Sequence, residues 1–233
     1  MSALRFDAAI VDLDGTLVDT VGDFEQALAL AFADLGLTAP SRDFITRTVG
    51  KGSEHLIARA LAEVGGAAEC FEQAWQRYQH HYLAINGRHS ALYPGAVTGL
   101  NLMRGLGLRL VCLTNKPTAF ALPLLADKGI ANVFERVYGG DAFARKKPDP
   151  LPLLEACAAL GLPPARVLML GDSSNDAIAA RAAGCAVVLV SYGYNHGEDV
   201  AAAGADAVID TIDQIGAFIE GPVIERHRLS VVA

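Results

Sequence analysis

The chain has 233 residues, 52% of them hydrophobic and 19% charged, which is typical of a globular protein and excludes a disordered one. The formal net charge of −7 argues against nucleic acid or an anionic membrane surface as a partner, because both attract basic faces. The four cysteines show no paired spacing, so neither a disulfide framework nor a zinc site is expected, and no apolar stretch is long enough to cross a membrane; a cytoplasmic protein is predicted.

The first predicted element is a buried strand at residues 6–11, an apolar run that ends in two acidic residues, Asp12 and Asp14. Side chains alternate along a strand, so both carboxylates are expected on the same side of its carboxyl end. Like charges held that close repel each other unless a cation or a proton offsets them. Gly15 and Thr16 follow, and these residues by themselves fit an ordinary Asp-Gly turn as well as a reactive site.

A block of helical periodicity follows at residues 18–92 and contains no convincing strand. This pattern predicts an all-helical unit inserted directly after the first strand. Its first helix is expected to begin at Thr20, with the threonine hydroxyl as cap and Asp23 as the acidic partner three residues later.

The loop Gly50-Lys51-Gly52 lies between helices of this block. From the residues alone, a flexible turn with a solvated lysine is the more probable interpretation. The functional alternative is a mobile loop that brings Lys51 over an anionic substrate.

From residue 93 onward, short apolar strands alternate with helices, which predicts parallel strands linked by helical crossovers. The predicted strands are 108–113, 136–138, 167–170, 186–190 and 207–209. The expected fold is therefore α/β, a Rossmann-like parallel sheet with helices on both faces. Residues 1–17 and 93–233 would form this core domain, and residues 18–92 a helical cap domain. Such sheets bind ligands at the carboxyl ends of their strands.

Residues suited to an anion follow two of these strands. Thr114 and Asn115 precede a predicted helix, whose first N–H groups favour negative charge, although a simple helix cap explains them equally well. Lys147 stands before Pro148 and could hold a phosphate oxygen, whereas a lone lysine in such a place is usually only a surface residue.

Acidic residues follow the next strand, with Asp172 at its tip and Asp176 at the start of a helix. An acid at a helix N-terminus is favourable for structural reasons alone, so Asp176 needs no functional role. Asp172 has no such explanation. Together with the two carboxylates after the first strand, it predicts a hard oxygen site that suits Mg²⁺.

In combination and in order, these motifs resemble those of the haloacid dehalogenase superfamily: Asp-x-Asp-Gly-Thr, Thr, Lys-Pro and Gly-Asp-Ser-x-x-Asp. The resemblance spans residues 6–219 and includes a helical cap after the first motif. The loop at 49–52 and the segment at 191–195 look like those of bacterial phosphoglycolate phosphatases. Val11 stands where the family more often has Phe, a change inside the strand that should not touch the chemistry.

The resemblance implies a Mg²⁺-dependent phosphomonoester hydrolase with an aspartyl-phosphate intermediate. Asp12 would be the nucleophile and Asp14 the general acid and base, and Mg²⁺ would be held by Asp12, the main-chain carbonyl of Asp14, and Asp172. The other implied roles are phosphate binding by Thr114, Asn115 and Lys147, support by Thr16 and Asp176, and substrate binding by Gly50, Lys51 and Gly52.

The resemblance favours 2-phosphoglycolate as the substrate. The expected partner is a small phosphorylated metabolite, with no nucleic acid and no membrane, and the protein is expected to be a monomer or homodimer. Alternatives are another small phosphate (a sugar phosphate, N-acetylmuramate 6-phosphate or pyrophosphate) and a phosphomutase of the β-phosphoglucomutase type. Dehalogenation is disfavoured because Asp14 and the metal-binding pattern are superfluous for it. A non-catalytic binding module is disfavoured because every motif position is present. The roles of His196, the loop 192–195 and the tail 221–233 stay open.

Overall fold

The computed structural model of this protein describes residues 5–221, so residues 1–4 and 222–233 of the predicted core domain lie outside the described residues. In chain order, the strands are β1 (Ala8–Val11), β2 (Val18–Asp19), β3 (Ala91–Leu92), β4 (Arg109–Leu113), β5 (Arg136–Tyr138), β6 (Val167–Gly171), β7 (Ala186–Val190) and β8 (Ala207–Ile209). The α-helices are α1 (Val21–Ala33), α2 (Arg42–Thr48), α3 (Ser53–Glu63), α4 (Phe71–Ile85), α5 (Ala96–Gly105), α6 (Thr118–Asp127), α7 (Leu151–Leu160), α8 (Ser174–Ala183) and α9 (Ile215–Glu220).

A six-stranded parallel sheet forms the centre of the molecule, in the order β5-β4-β1-β6-β7-β8. The predicted α/β fold is confirmed, and the predicted strands agree with the observed ones to within two residues at each end. The central strands β1, β4, β6 and β7 were predictable because both of their faces are covered, so they are nearly continuous apolar runs. Strand β1 lies between β4 and β6, which brings the carboxyl ends of these three strands together.

Helices cover both faces of the sheet. Ala9 and Val11 of β1 pack into a cluster with α5, α6 and α9, whereas Ala8 and Ile10 pack into a cluster with α7 and α8. This division follows from the alternation of side chains along a strand. No helix among residues 5–221 is long and apolar enough to cross a membrane.

The helices α1 to α4 form a bundle between β2 and β3, with its own buried cluster that includes Phe24, Tyr78 and Tyr82. Phe120 of α6 and Tyr194 join this cluster from the sheet side. We call the helical block α1–α4 the cap. Its buried aromatic residues explain why its helical periodicity was readable in the sequence.

Two features of the 18–92 block differ from expectation. The strands β2 and β3 pair antiparallel where the chain enters and leaves the cap, although no strand was expected there. Each has only two residues, which is too short to produce a readable alternation. The second feature is helix α2, which the sequence pattern does not reveal, because among its seven residues only Ile45 is buried and no apolar stripe develops.

The start of α1 also differs from expectation. The Thr20 side chain makes no capping hydrogen bond. Asp23 accepts hydrogen bonds from the backbone N–H groups of Gly87 and His89, at 2.8 Å each, and so ties the start of the cap to its end. The expected capping box is therefore wrong, because the structure uses both residues of this pair differently.

Candidate active site

Three carboxylates meet at the carboxyl edge of the sheet. Asp12 follows β1, Asp172 follows the neighbouring strand β6, and Asp176 lies in the first turn of α8. One oxygen from each of them lies within 4.8 Å of the others, and all three residues are buried. The strand order explains this convergence, because β1 and β6 are parallel neighbours.

Lys147 lies among these carboxylates and is itself buried. Its Nζ is 3.0 Å from Asp12 Oδ1 and donates to Asp176 Oδ1 at 2.6 Å and to the carbonyl of Leu113 at 3.0 Å. The other oxygen of Asp176 accepts from the Ser173 hydroxyl at 3.0 Å and from its N–H at 3.2 Å. Both oxygens of Asp176 are therefore occupied, which suits a residue that orients Lys147.

The carboxylate cluster carries more negative charge than Lys147 offsets. Burial raises the pKa of Asp12 to about 7. The positive charge of Lys147 lowers this pKa, and the negative charge of Asp176 raises it. Burial, together with the charges of Asp176 and Asp12, raises the pKa of Asp172 well above its usual range. Since oxygen ligands and uncompensated negative charge are what a hard divalent cation requires, the residues present fit a metal ion. Asp12 and Asp172 are the members that could hold it.

The backbone around Asp172 leaves no room for other side chains. Gly15 has a φ of +82°, and a Cβ atom built on it would lie 2.2 Å from Asp172 Oδ2. A Cβ on Gly193 would lie 2.2 Å from Asp172 Cβ. Thr16 is buried beside this carboxylate, with its hydroxyl 3.4 Å from Asp172 Oδ1. The glycine after the first carboxylates is thus needed for close approach as well as for the turn.

Asp14 lies apart from the carboxylate cluster. Its two oxygens accept hydrogen bonds from Lys116 Nζ at 3.0 and 3.3 Å. Both Asp14 and Asp12 line one cavity between the sheet edge and the cap, together with Gly50 and Gly52. Asp12 and Asp14 therefore face the same cavity, as expected. The Asp14 side chain is paired with Lys116, which was not among the predicted site residues.

Thr114 and Asn115 also line this cavity. The Thr114 hydroxyl accepts from the N–H of Lys116 at 3.2 Å. The Asn115 side chain donates to the carbonyls of Gly50 and Lys147, at 2.8 Å each, and accepts from the N–H of Lys147 at 3.0 Å. The Asn115 amide thus ties the backbone of the cap loop to the backbone of Lys147.

The cap loop closes the cavity through its backbone. The carbonyl of Gly50 accepts from Asn115, and also from Asn175 Nδ2 at 3.2 Å. The Lys51 side chain is exposed and lines a separate outer groove with His55, Arg59 and other basic residues. The structure therefore brings Gly50 and Gly52 to the cavity and leaves the Lys51 side chain outside it.

The cavity measures about 20 Å³, which is room for about one water molecule. A phosphorylated substrate is larger, so we expect the cap loop or the whole cap to move outward before the substrate binds. We call the arrangement with the cap loop over the cavity closed.

Tyr194 connects the carboxylate cluster to the start of the cap, and sequence reasoning left its role open. Its backbone N–H donates to Asp172 Oδ2 at 2.6 Å. Its buried hydroxyl accepts from the N–H groups of Thr20, at 2.8 Å, and Val21, at 3.1 Å, and donates to Asp19 Oδ1. Sequence spacing provided no signal for these contacts, because the partners are 173 to 175 residues apart.

We expect Tyr194→Phe to lower the free energy of unfolding by about 1–3 kcal/mol, because two buried N–H groups lose their acceptor and Asp19 loses a donor. Thermal melting checks this value against Tyr138→Phe, which changes a half-buried tyrosine of β5 outside this network. Equal melting temperatures for the two variants would contradict the assigned role of the Tyr194 hydroxyl.

A sheet edge with clustered carboxylates and a buried lysine, covered by a helical block, defines the site of a capped α/β enzyme. A family model described as haloacid dehalogenase-like hydrolase matches residues 6–184. The chain belongs to the haloacid dehalogenase-like hydrolase family, as its motifs had indicated.

Similar proteins extend this assignment. The chain is 41% identical over 219 residues to a phosphoglycolate phosphatase of Thiobacillus denitrificans, covering 93% of this chain and 96% of that one. It is 39% identical over 220 residues to a phosphoglycolate phosphatase of Nitrosospira multiformis, covering 93% and 97%. A solved structure from Haemophilus somnus, described as a predicted phosphoglycolate phosphatase, matches with a TM-score of 0.87 and 31% identity, covering 92% of this chain and 98% of that one.

Proposed function

We propose that the protein is a Mg²⁺-dependent phosphatase that hydrolyses 2-phosphoglycolate to glycolate and inorganic phosphate. The observation that carries the proposal is the position of Asp12, a buried carboxylate on the cavity wall with Lys147 on one side and Asp172 nearby. The substrate is suggested by the phosphoglycolate phosphatases that are about 40% identical over most of the chain.

Asp12, Asp172 and the main-chain carbonyl of Asp14 would hold the Mg²⁺. A bound ion would supply the positive charge that allows a phosphate dianion to approach a carboxylate, and it would offset charge on the phosphoryl oxygens. The excess negative charge of the cluster supports this assignment. Thr16 supports Asp172, and Asp176 supports Lys147.

The chemistry proceeds in two displacements at phosphorus. First, a carboxylate oxygen of Asp12 bonds to phosphorus while the ester P–O bond breaks, and Asp14 gives a proton to the departing oxygen of glycolate. Second, water attacks phosphorus, Asp14 accepts its proton, and the bond between phosphorus and Asp12 breaks. Lys147 and Thr114 bind the phosphoryl oxygens throughout, with Asn115 holding Lys147 in place.

The cap would exclude water and close over the leaving group. We assign it to residues 18–92, which begin and end with the paired strands β2 and β3, and the core to the described residues on either side, 5–17 and 93–221. Gly50 and Gly52 form part of the cavity wall and would contact the substrate there. Lys51 would contact the substrate only from the outer rim of the cavity. The monomer or homodimer expected from the sequence stays a prediction.

Initial rates of inorganic phosphate release test this function with 2-phosphoglycolate, a panel of sugar phosphates, N-acetylmuramate 6-phosphate and pyrophosphate. We expect the highest kcat/KM for 2-phosphoglycolate and loss of activity on chelation of divalent ions, restored by Mg²⁺. A higher kcat/KM for another phosphate would reject the substrate but keep the phosphatase. Conversion of a sugar phosphate to its isomer without phosphate release would favour the phosphomutase instead.

A further inference from the structure

We infer that Lys116 binds the carboxylate of the substrate and so selects phosphate esters whose leaving group is an acid. This inference rests on the proposed function. It means that a residue of the core, Lys116, recognises the leaving group, and that the exposed cap lysine, Lys51, does not.

Lys116 is a buried cation at the boundary between core and cap. Only 1% of its side chain is exposed. Its Nζ donates to both oxygens of Asp14, at 3.0 and 3.3 Å, and to the hydroxyl of Tyr82 at 2.5 Å. It also lies 4.6 Å from the ring centre of Phe24 and 4.7 Å from that of Tyr82, within the range of cation–π attraction.

This environment strengthens any ion pair that Lys116 makes. Apolar and aromatic groups of the cap surround the ammonium, so water screens its charge weakly. Burial of a lysine costs free energy unless its charge is paired, and the carboxylate of Asp14 provides that pairing in the closed structure. A substrate carboxylate that reaches the same ammonium would replace or share this partner at little further desolvation cost to the lysine.

The position of Lys116 matches the geometry of the proposed substrate. In 2-phosphoglycolate, one carbon atom separates the carboxylate from the ester oxygen that Asp14 would protonate. A group that binds this carboxylate must therefore lie beside Asp14, as Lys116 does. Among the side chains of residues 5–221 that line the cavity between the sheet edge and the cap, only Lys116 is cationic.

The carboxylate could instead be bound from the cap loop. Lys51 lies on the outer side of that loop, in the groove with His55 and Arg59, and does not line the cavity beside Asp14. The backbone of Gly50 and Gly52 forms the cavity wall between them. Recognition by Lys51 would require a rearrangement of the loop, whereas recognition by Lys116 requires only outward movement of the cap.

The test is a comparison of 2-phosphoglycolate with ethyl phosphate, which lacks the carboxylate, in the wild type and in Lys116→Met. We expect the ratio of their kcat/KM values to fall by about 10- to 100-fold in the variant, the effect of losing one charge-assisted hydrogen bond. Lys146→Met is the matched control, since Lys146 is a half-exposed lysine at the same boundary, paired with Glu54 at 2.8 Å. We expect it to leave the ratio unchanged.

A binding measurement separates recognition from any effect of Lys116 on catalysis by Asp14. In the Asp12→Asn background with Mg²⁺, calorimetry should give weaker binding of 2-phosphoglycolate, but not of ethyl phosphate, when Lys116 is replaced by Met. Lys116→Gln is the second variant, used if the Met variant does not fold, because glutamine can keep a polar contact with Tyr82. It should also weaken the binding of 2-phosphoglycolate but not of ethyl phosphate.

The outcomes are distinct. A wild type that does not prefer 2-phosphoglycolate to ethyl phosphate contradicts the proposed substrate. A wild-type preference that survives in both Lys116 variants, or that disappears in Lys51→Met instead, overturns the inference and leaves the proposed function standing. An equal loss of binding for both ligands would make Lys116 a positioning residue for Asp14, and would also overturn the inference.

Discussion

Replacement of Asp12 by Asn is expected to lower kcat by about 10⁴-fold or more, as loss of a nucleophile does in other enzymes that form covalent intermediates. The amide has nearly the same shape as the carboxylate but cannot form the bond to phosphorus. Lys147 keeps its contact with Asp176 at 2.6 Å, so the buried lysine stays paired in the variant. The fold should therefore persist.

Phosphate release under saturating substrate measures the loss, and circular dichroism with thermal melting measures the fold. Asp127→Asn is the matched control, because it makes the same chemical change at an exposed position at the end of α6. A folded Asp12→Asn protein that retains a tenth of wild-type activity would remove Asp12 from the role of nucleophile.

The second large effect is expected for Asp172→Asn, which should abolish Mg²⁺ binding, and with it the phosphatase activity, while making the metal-free protein more stable. Burial and the neighbouring charges of Asp176 and Asp12 raise the pKa of Asp172 above its unfolded value. An acid with a raised folded-state pKa destabilises the folded state at pH values above its unfolded pKa, where the unfolded chain is ionised. Asn removes this charge and can still accept the hydrogen bond from the Tyr194 N–H.

Melting curves at pH 7 report both Mg²⁺ binding and the stability of the metal-free protein, and phosphate release reports the activity. With chelator, we expect Asp172→Asn to melt about 2 °C or more above the wild type, the effect of a gain near 1 kcal/mol in a chain of this size. With Mg²⁺, the wild type should gain stability through ion binding and the variant should not. A variant that melts lower in chelator, or shows the same Mg²⁺-dependent increase, would contradict the assignment of Asp172 as a metal ligand.

The sheet and its reactive edge were predictable because their signals are local. Fully buried strands are short apolar runs, and the chemically distinctive residues Asp12 and Asp172 follow β1 and β6 directly. Parallel topology then brings these ends together whatever the details of the loops.

The contacts between core and cap were not predictable, because they join residues far apart in sequence. The role of Lys116 depends on Phe24 and Tyr82 of the cap, and alone it was one cation among several in loops. The start of α1 was wrongly expected to be capped by Thr20, because the acceptor comes from Tyr194. Lys51 is next to two glycines in sequence, but the direction of its side chain depends on how the loop closes.

Trapping of the phosphorylated enzyme tests the central claim most directly. Wild-type protein mixed with ³²P-labelled 2-phosphoglycolate and Mg²⁺, quenched in acid within one turnover, should carry label on the peptide that contains Asp12, and the label should be released at alkaline pH, as expected of an acyl phosphate. The Asp12→Asn protein should carry none. Rapid phosphate release in the first turnover without labelled protein would show that water attacks the substrate directly, and would contradict the role of Asp12 as the nucleophile.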